Sequence, residues 1–288
     1  MTAIEHILFP VDFSSQCEGA AHYVQAVAAA TQAKVTLLHS IDSADYLFSA
    51  GELGGYVVSD FYQIHRDRAK QQLDGFLAAT FPEAQRQLCE GEAGSRITAF
   101  AHSNDIDLIM MPTHGLGPFR RFLIGSITAK VLHDARCPVW TGVHMENAPP
   151  HEIIAFKNII CAVDLGPQAD AALRWAADFA AANFGSLTIV HAVPGLETRP
   201  AKYLDAEFHA ELRKQARFEV EKLRERVHVD AEILLVDGEP AHAIRETALD
   251  RETDLLVIAR GSAAEGFGRL RKHAYDIIRN SPCPTVSV

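Results

Sequence analysis

The chain has 288 residues, of which 48% are hydrophobic and 22% are charged, and its formal net charge is -10. The length favours about two domains, and the composition is typical of a globular protein rather than a disordered one. The acidic balance argues against a nucleic-acid-binding protein, because phosphate contacts along a nucleic acid need a basic surface. No apolar run approaches the roughly 20 residues of a transmembrane helix, so we expect no membrane span.

The five cysteines are odd in number and form no Cys-x-x-Cys pair, which favours reduced thiols that are mostly buried. The first residues pass directly into an apolar strand pattern, so we expect no signal peptide. Together these features predict a cytoplasmic protein. The fourteen histidines include no His-x-x-x-His pattern, so we expect no metal site.

In the first half of the chain, segments with the pattern of strands alternate with segments that have helical periodicity. The predicted strands cover 4–10, 34–41, 86–90, 107–111 and 138–143. The first predicted helix begins at Ser14 or Ser15, and the later ones cover 61–80, 96–103 and 126–135. Residues 43 to 60 are predicted to be irregular. This alternation predicts an α/β fold with a mostly parallel, doubly wound sheet and helices on both faces.

The second half repeats the first. The segment Ile-Ile-Cys-Ala-Val-Asp164 corresponds to Ile-Leu-Phe-Pro-Val-Asp12, and Cys283-Pro corresponds to Cys137-Pro. Between the halves lies a stretch with a Pro-Pro pair and no periodicity, which is typical of a linker. We therefore predict two tandem Rossmann-like domains of five strands each, at 1–145 and 158–288, joined by a linker at 146–157.

A glycine-bearing loop in the first half is the strongest functional signal. An apolar strand ends at Met111 and Pro112, Gly115 lies in the segment that follows, and a helical pattern begins at Gly125 and Ser126. A strand, a glycine loop and a helix N-terminus present backbone N–H groups beside the positive end of a helix dipole. This arrangement suits a phosphate group.

Two polar residues lie at the ends of neighbouring predicted strands, Asp12 after the first and Ser40 near the end of the second. The carboxyl ends of the strands of a doubly wound sheet meet at a crevice where ligands bind. The Asp12 carboxylate would accept hydrogen bonds from an adenine amino group or a ribose hydroxyl.

These residues resemble the universal stress protein family, whose motif is G-x-x-G, nine further residues and G-[ST]. Gly115, nine residues and Gly125-Ser126 match the second and third glycines, and the Val-Asp ending at Asp12 and the Cys-Pro-Val beginning at Cys137 also match. The resemblance covers nearly the whole chain as a tandem pair. Pro112 occupies the position of the first glycine, and a proline has no N–H to donate there.

In family members that bind ATP, the loop and the Gly-Ser pair hold the phosphates and ribose, while the aspartate and the second strand flank the adenine. The resemblance therefore implies a stress-response regulatory protein that binds ATP, with or without Mg²⁺, in its first domain and acts through a change of conformation or assembly. The implied binding residues are Pro10, Asp12, Ser40, Met111, Pro112, His114, Gly115, Gly125, Ser126 and Ile127.

The second half departs further from the motif, because Arg271 and Lys272 replace the Gly-Ser pair. Bulky side chains at this position would fill a phosphate site, so we predict a degenerate second site without nucleotide. An alternative is that Arg260, Arg271 and Lys272 bind a different anion. We interpret Asp164 as a helix cap, and His39 and His191 as core histidines. The carboxylates near Glu92 and Glu239 fit helix N-terminal charge better than acid/base catalysis.

Two other functions stay open. One is a dimeric scaffold that needs no nucleotide, and the other is a very slow ATPase, although the chain has no Walker-type Gly-Lys-[ST] sequence. The family resemblance leaves open whether the last strands pair within one chain, as a pseudo-dimer, or between two chains of a homodimer. Since the chain ends inside a predicted strand, we expect that edge to need cover.

Overall fold

The computed structural model of the chain describes residues 4–42, 55–113, 124–142, 148–194, 206–260 and 272–288. Its strands are β1 His6–Pro10, β2 Lys34–Ile41, β3 Gln85–Glu90, β4 Leu108–Met110, β5 Val139–Thr141, β6 Asn158–Ala162, β7 Ser186–Val193, β8 Glu232–Asp237, β9 Leu255–Ile258 and β10 Thr285–Ser287. Its helices are α1 Ser15–Thr31, α2 Gly55–Gly75, α3 Ala93–Ser103, α4 Ser126–Asp134, α5 Ala169–Ala182, α6 Ala206–Val227, α7 Pro240–Asp250 and α8 Lys272–Asn280.

The ten strands form a single sheet in the order β3-β2-β1-β4-β5-β10-β9-β6-β7-β8. Neighbours within each half are parallel, whereas β5 and β10 pair antiparallel with Val286 opposite Trp140. The predicted α/β fold of two doubly wound, five-stranded halves is confirmed. The halves join within the chain as a pseudo-dimer. The expectation that the last strand needs cover is met within the chain, because β10 lies between β5 and β9.

Successive residues of the central strands belong to different layers of the core. Ile7 and Phe9 join one buried cluster and Leu8 joins the other, and all three side chains are fully buried. Side chains alternate between the faces of a strand, so this division means that β1 is covered by helices on both sides. The sequences of the central strands are therefore continuous apolar runs.

Helix α2 begins at Gly55, before the predicted start at residue 61, and ends at Gly75 rather than 80. The rest of the segment predicted to be irregular, 43–54, lies outside the described residues. Helix α3 begins at Ala93 rather than 96, because the Glu92 side chain caps it by accepting hydrogen bonds from the N–H groups of Gly94 and Ser95.

The predicted linker, 146–157, carries a 3₁₀ turn at His151–Ile153 and then Phe156, which is 3% exposed. The Phe156 ring packs edge-on against Trp140 of β5 and Phe179 of α5, with ring centroids 5.3 Å away in each case. This aromatic cluster covers the junction of the two halves. The second part of the linker is therefore packed against the core.

Of the helices in the described segments, none combines the length and the apolar character that crossing a bilayer requires. The five cysteines are all unpaired.

Candidate functional site

The carboxyl ends of β1, β2 and β4 surround a cavity of about 140 Å³ in the first half. This is the point where the sheet order reverses, since β2 lies on one side of β1 and β4 on the other. Six of the predicted binding residues line the cavity: Pro10, Asp12, Ser40, Met111, Pro112 and Ile127. Two others, His114 and Gly115, lie outside the described residues.

The Asp12 carboxylate is held in place by three donors. Its Oδ1 accepts from the Ser14 N–H at 3.1 Å, from the Ser14 hydroxyl and from the Cys17 thiol at 3.1 Å. Ser14 is the N-cap of α1, so the start of this helix orients the carboxylate. All three bonds use the same oxygen, which leaves Oδ2 as the atom that a ligand donor would meet.

Cys17 contributes to this arrangement as a neutral thiol. Burial, together with the negative charge of Asp12, raises the pKa of Cys17 to about 12. At neutral pH the group therefore keeps its proton and donates it to Asp12 instead of repelling the carboxylate. Cys17 was not among the residues predicted from the sequence, although its position three residues after the cap Ser14 places it on the same turn.

The His39 side chain is held by the backbone just after β1. Its Nδ1 donates to the Val11 carbonyl at 2.7 Å, and the Phe13 ring packs against the imidazole with centroids 4.3 Å apart. His191 makes the corresponding bond to the Val163 carbonyl at 2.8 Å in the second half. Both histidines bind the backbone at strand ends, as core histidines do, although each also lines the cavity of its half.

The Ser40 hydroxyl is already engaged, because it donates to the Gly91 carbonyl at 2.8 Å. Gly91 has a φ of 120°, a conformation that favours glycine. This bond ties the end of β2 to the turn that leads into α3. Ser40 would therefore meet a ligand through its oxygen lone pairs rather than through its proton.

The start of α4 is anchored to the end of β4 by two hydrogen bonds. The Gly125 N–H donates to the Thr113 carbonyl at 2.8 Å, and the Thr128 hydroxyl donates to the Pro112 carbonyl at 3.1 Å. Pro112 thus lacks a donor but its carbonyl holds the helix in place. Thr128, which also lines the cavity, was missed in the sequence analysis.

Gly125 is the N-cap of α4 and has no side chain with which to cap the helix. The first N–H groups of an α-helix have no partner within the helix and carry partial positive charge. Ser126 and Ile127, the first two residues of α4, are exposed, and Ile127 is also part of the cavity lining. The helix therefore presents these N–H groups at the edge of the cavity, where they suit an anion.

The second half has a cavity of about 240 Å³ at the equivalent place. Three lining positions differ in residue type between the halves, because Ser40, Thr128 and Met111 of the first half correspond to two alanines and an isoleucine. These are Ala192, Ala274 and Ile258, all of which line the second cavity. The two alanine replacements also remove two hydroxyl groups.

Asp164 in the second half accepts a hydrogen bond from the Gly166 N–H at 2.9 Å. The N-cap of α5 is Gln168, so the interpretation of Asp164 as a helix cap is wrong. A turn of the chain separates the aspartate from the helix. Asp164 instead lines the cavity, as Asp12 does in the first half.

Arg260 does not lie in the second cavity. It is 6% exposed, and its guanidinium donates to the carbonyls of Ala135 at 3.0 Å and Cys137 at 2.7 Å in the other half. The alternative prediction of an anion site that includes Arg260 is therefore wrong for this residue. The side chains of Arg271 and Lys272 lie outside the described part of the chain.

Two carboxylates between strands and helices act as helix caps, as predicted. Glu92 accepts from the N–H groups of Gly94 and Ser95, and Glu239 accepts from the His242 N–H at 3.0 Å. Hydrogen bonds from Ser95 and Gly94 lower the pKa of Glu92. Within the segments that the structure describes, no cluster of histidine, cysteine, aspartate and glutamate is arranged to hold a metal ion.

Comparison with known proteins identifies both halves. The model of the universal stress protein family matches residues 3–141 and again residues 155–288. A protein of Staphylococcus aureus (strain USA300), provisionally named a universal stress protein, is 31% identical over 146 residues, which are 48% of this chain and 84% of the relative.

Two solved structures match nearly the full length. A universal stress protein from Archaeoglobus fulgidus DSM 4304 has a TM-score of 0.69 at 18% identity, over 98% of this chain and 97% of the other. A functionally unknown protein from Pseudomonas aeruginosa PAO1 has a TM-score of 0.63 at 14% identity, over 100% of this chain and 93% of the other. At these identities the likeness supports the fold alone.

Proposed function

The chain belongs to the universal stress protein family, with one family domain in each half, and on that basis we propose that it is a regulatory protein that binds ATP in its first half. Nucleotide would bias its conformation or assembly, which requires different affinities for two states of the protein. We propose a cytoplasmic location, which suits five unpaired cysteines. The proposed domain limits stay at 1–145 and 158–288.

The observation that carries this proposal is that one cavity adjoins two chemically different groups. Asp12 lines it and offers a fixed acceptor, and the start of α4, whose Ile127 also lines it, offers N–H donors that no side chain caps. An adenine nucleotide has donors on its base and ribose and negative charge on its phosphates. The nucleotide therefore carries the complement of both groups.

Magnesium is compatible with this arrangement. In nucleotide sites Mg²⁺ keeps several waters and is held mainly through the phosphates, so it does not need a dedicated cluster of protein ligands. We propose that ATP binds as its magnesium complex. The phosphates would bind beside Gly125 and Ser126, where the absence of a Cβ on Gly125 allows a close approach.

We propose that the second half does not bind ATP in the same way. It keeps a cavity and Asp164, but it lacks the hydroxyls of Ser40 and Thr128, and its sequence has Arg271 and Lys272 at the start of α8. The two halves would therefore differ in ligand, although they share a fold. This asymmetry predicts one ATP per chain.

The test is a calorimetric titration of nucleotide-free protein with Mg-ATP, using two matched variants. Asp12→Asn keeps the size of the side chain and an acceptor oxygen but removes the charge, so we expect ATP affinity to fall by about tenfold, as for a hydrogen bond to a charged group. Asp164→Asn makes the same change at the equivalent position of the second half, and it should leave the affinity unchanged.

Equal affinities in Asp12→Asn and the wild-type protein would contradict the assignment of Asp12. No binding to the wild-type protein would favour the scaffold that needs no nucleotide. Phosphate release above that of a variant unable to bind ATP would favour the slow ATPase.

A further inference from the structure

Arg260 links the second half of the chain to the candidate site of the first. It follows β9 and is 6% exposed, so its charged guanidinium is buried at the junction between the halves. Its nitrogens donate to three carbonyls of the other half: Leu132 at 3.5 Å, Ala135 at 3.0 Å and Cys137 at 2.7 Å. A buried charge held in this way fixes the groups around it.

These carbonyls lie at and just beyond the end of α4. Leu132 lies in its last turn, Ala135 is its C-cap, and Cys137 lies two residues after the cap. The last carbonyls of an α-helix lack partners within the helix and carry partial negative charge, so a guanidinium is well suited to bind them. Arg260 therefore acts as a C-terminal cap that the other half supplies.

A second contact from the same half reaches the middle of this helix. The Tyr275 hydroxyl, on α8, donates to the Ala129 carbonyl at 3.5 Å. Helix α4 has only nine residues and spans about 14 Å, and its backbone hydrogen bonds connect one end to the other. The position of its C-terminal end therefore constrains the position of Gly125 and Ser126 at its N-terminal end.

The arrangement is not reciprocal. Thr113 occupies the position of the first half that corresponds to Arg260, and its hydroxyl donates to the Gly142 carbonyl of its own half at 3.2 Å. The threonine side chain is too short to repeat what the arginine does. The second half thus holds a helix of the first-half site through an arginine, and the equivalent position of the first half is a threonine.

We propose that Arg260 is a positioning residue for the first-half phosphate site, so that the second half sets the ATP affinity of the first. This inference rests on the proposed function, because it concerns the helix whose N-terminus would bind the phosphates. It gives the second half a role in the first-half site without a nucleotide of its own.

The experiment measures the affinity of the full-length protein for Mg-ATP and, separately, for adenosine. Adenosine has no phosphate, so it lacks the contacts with the first N–H groups of α4 that we assign to the phosphates. Arg260→Thr installs the first-half residue, and Arg251→Thr is the matched control. Arg251 also belongs to the second half, but it forms an exposed bidentate pair with Glu232.

We expect Arg260→Thr to weaken Mg-ATP binding by about tenfold, a typical size for coupling between sites, and to leave adenosine binding unchanged. Arg251→Thr should change neither affinity. Wild-type ATP affinity in Arg260→Thr would overturn the proposal. An equal loss for ATP and adenosine would also overturn it, because that result indicates a general loss of structure.

If Arg260→Thr does not fold, Arg260→Lys provides the test. A lysine keeps the charge but has a single nitrogen in place of the planar fork that spans the three carbonyls. We expect weaker ATP binding with unchanged adenosine binding, and wild-type ATP affinity would overturn the proposal. A wild-type protein that binds no ATP would refute the proposed function first, whereas normal wild-type binding with unaffected variants would refute this inference alone.

Discussion

Substitution of Gly125 by aspartate should stabilise the free protein and abolish ATP binding at the same time. Gly125 has φ -60° and ψ 150° at the N-cap of α4, an extended conformation that an L-residue adopts without strain. Aspartate is a better N-cap than glycine by a few tenths of a kcal/mol, and a carboxylate at a helix N-terminus adds about 0.3–1 kcal/mol. The expected gain is about 0.5–1 kcal/mol, or about 1–4 °C in Tm.

The same carboxylate would occupy the N–H groups that we assign to the phosphates and would repel them. Thermal unfolding with and without Mg-ATP measures both effects. At 100 times its Kd, ATP should stabilise the wild-type protein by about 2.7 kcal/mol. Gly125→Asp should show a higher Tm alone and no further shift with ATP.

Gly75→Asp is the matched control for this variant. Gly75 is the last residue of α2, and a Cβ at this position would meet no atom within 4 Å. This variant should respond to ATP as the wild-type protein does. A full ATP shift in Gly125→Asp would refute the assignment of α4 as the phosphate site, and a lower Tm without ATP would refute the expected capping.

Two further substitutions test other parts of the account. His6 is buried against the Thr36 hydroxyl, and burial together with the charge of Lys34 lowers its pKa. The folded state therefore resists protonation, so stability falls as the pH drops below the unfolded value of about 6.5, with a slope of up to about 1.4 kcal/mol per pH unit. His6→Asn installs the residue of the equivalent second-half position, Asn158, and should flatten this slope between pH 7 and 5 in urea unfolding. An unchanged slope would contradict the attribution of the pH dependence to His6. The double substitution Arg271→Gly with Lys272→Ser should raise the number of ATP sites per chain from one to two, and an unchanged number would mean that other residues close the second site.

The sequence predicted the strands well because most of them are buried on both faces. Strand β2 has the bounds that the sequence predicted, since its apolar run is flanked by Lys34 and Asp42. The start of α2 was not predictable in the same way. Its first residues, from Gly55, include glycine and β-branched residues that disfavour a helix in isolation, and tertiary context overrides that preference.

The cavity lining was predictable where it depends on strand ends, as for Asp12 and Met111. The contacts of Arg260, which lies outside both cavities, were not predictable, because they depend on how the two halves are arranged. From the sequence, Arg260 was a candidate anion ligand. The antiparallel pairing of β5 with β10 instead brings it to the end of α4. One signal was available in the sequence, since Arg260 replaces the small Thr113 of the first half.

The same limit applies to how the Asp12 carboxylate is held. The sequence places Asp12 at the end of a strand, but the bond from Cys17 requires the first turn of α1 to fold back over that end. The prediction that Asp164 caps a helix failed for a related reason. In both halves the chain turns between the aspartate and the helix, so Ser14 and Gln168 take the cap positions instead of Asp12 and Asp164.

The central claim is that the first half binds ATP and the second does not, and its most direct test is the number of sites per chain. Nucleotide-free, full-length protein is titrated with Mg-ATP in a calorimeter. We predict one site per chain, which the Asp12→Asn substitution weakens and Asp164→Asn does not. Two equivalent sites, or the absence of any binding heat together with no thermal protection, would contradict the account.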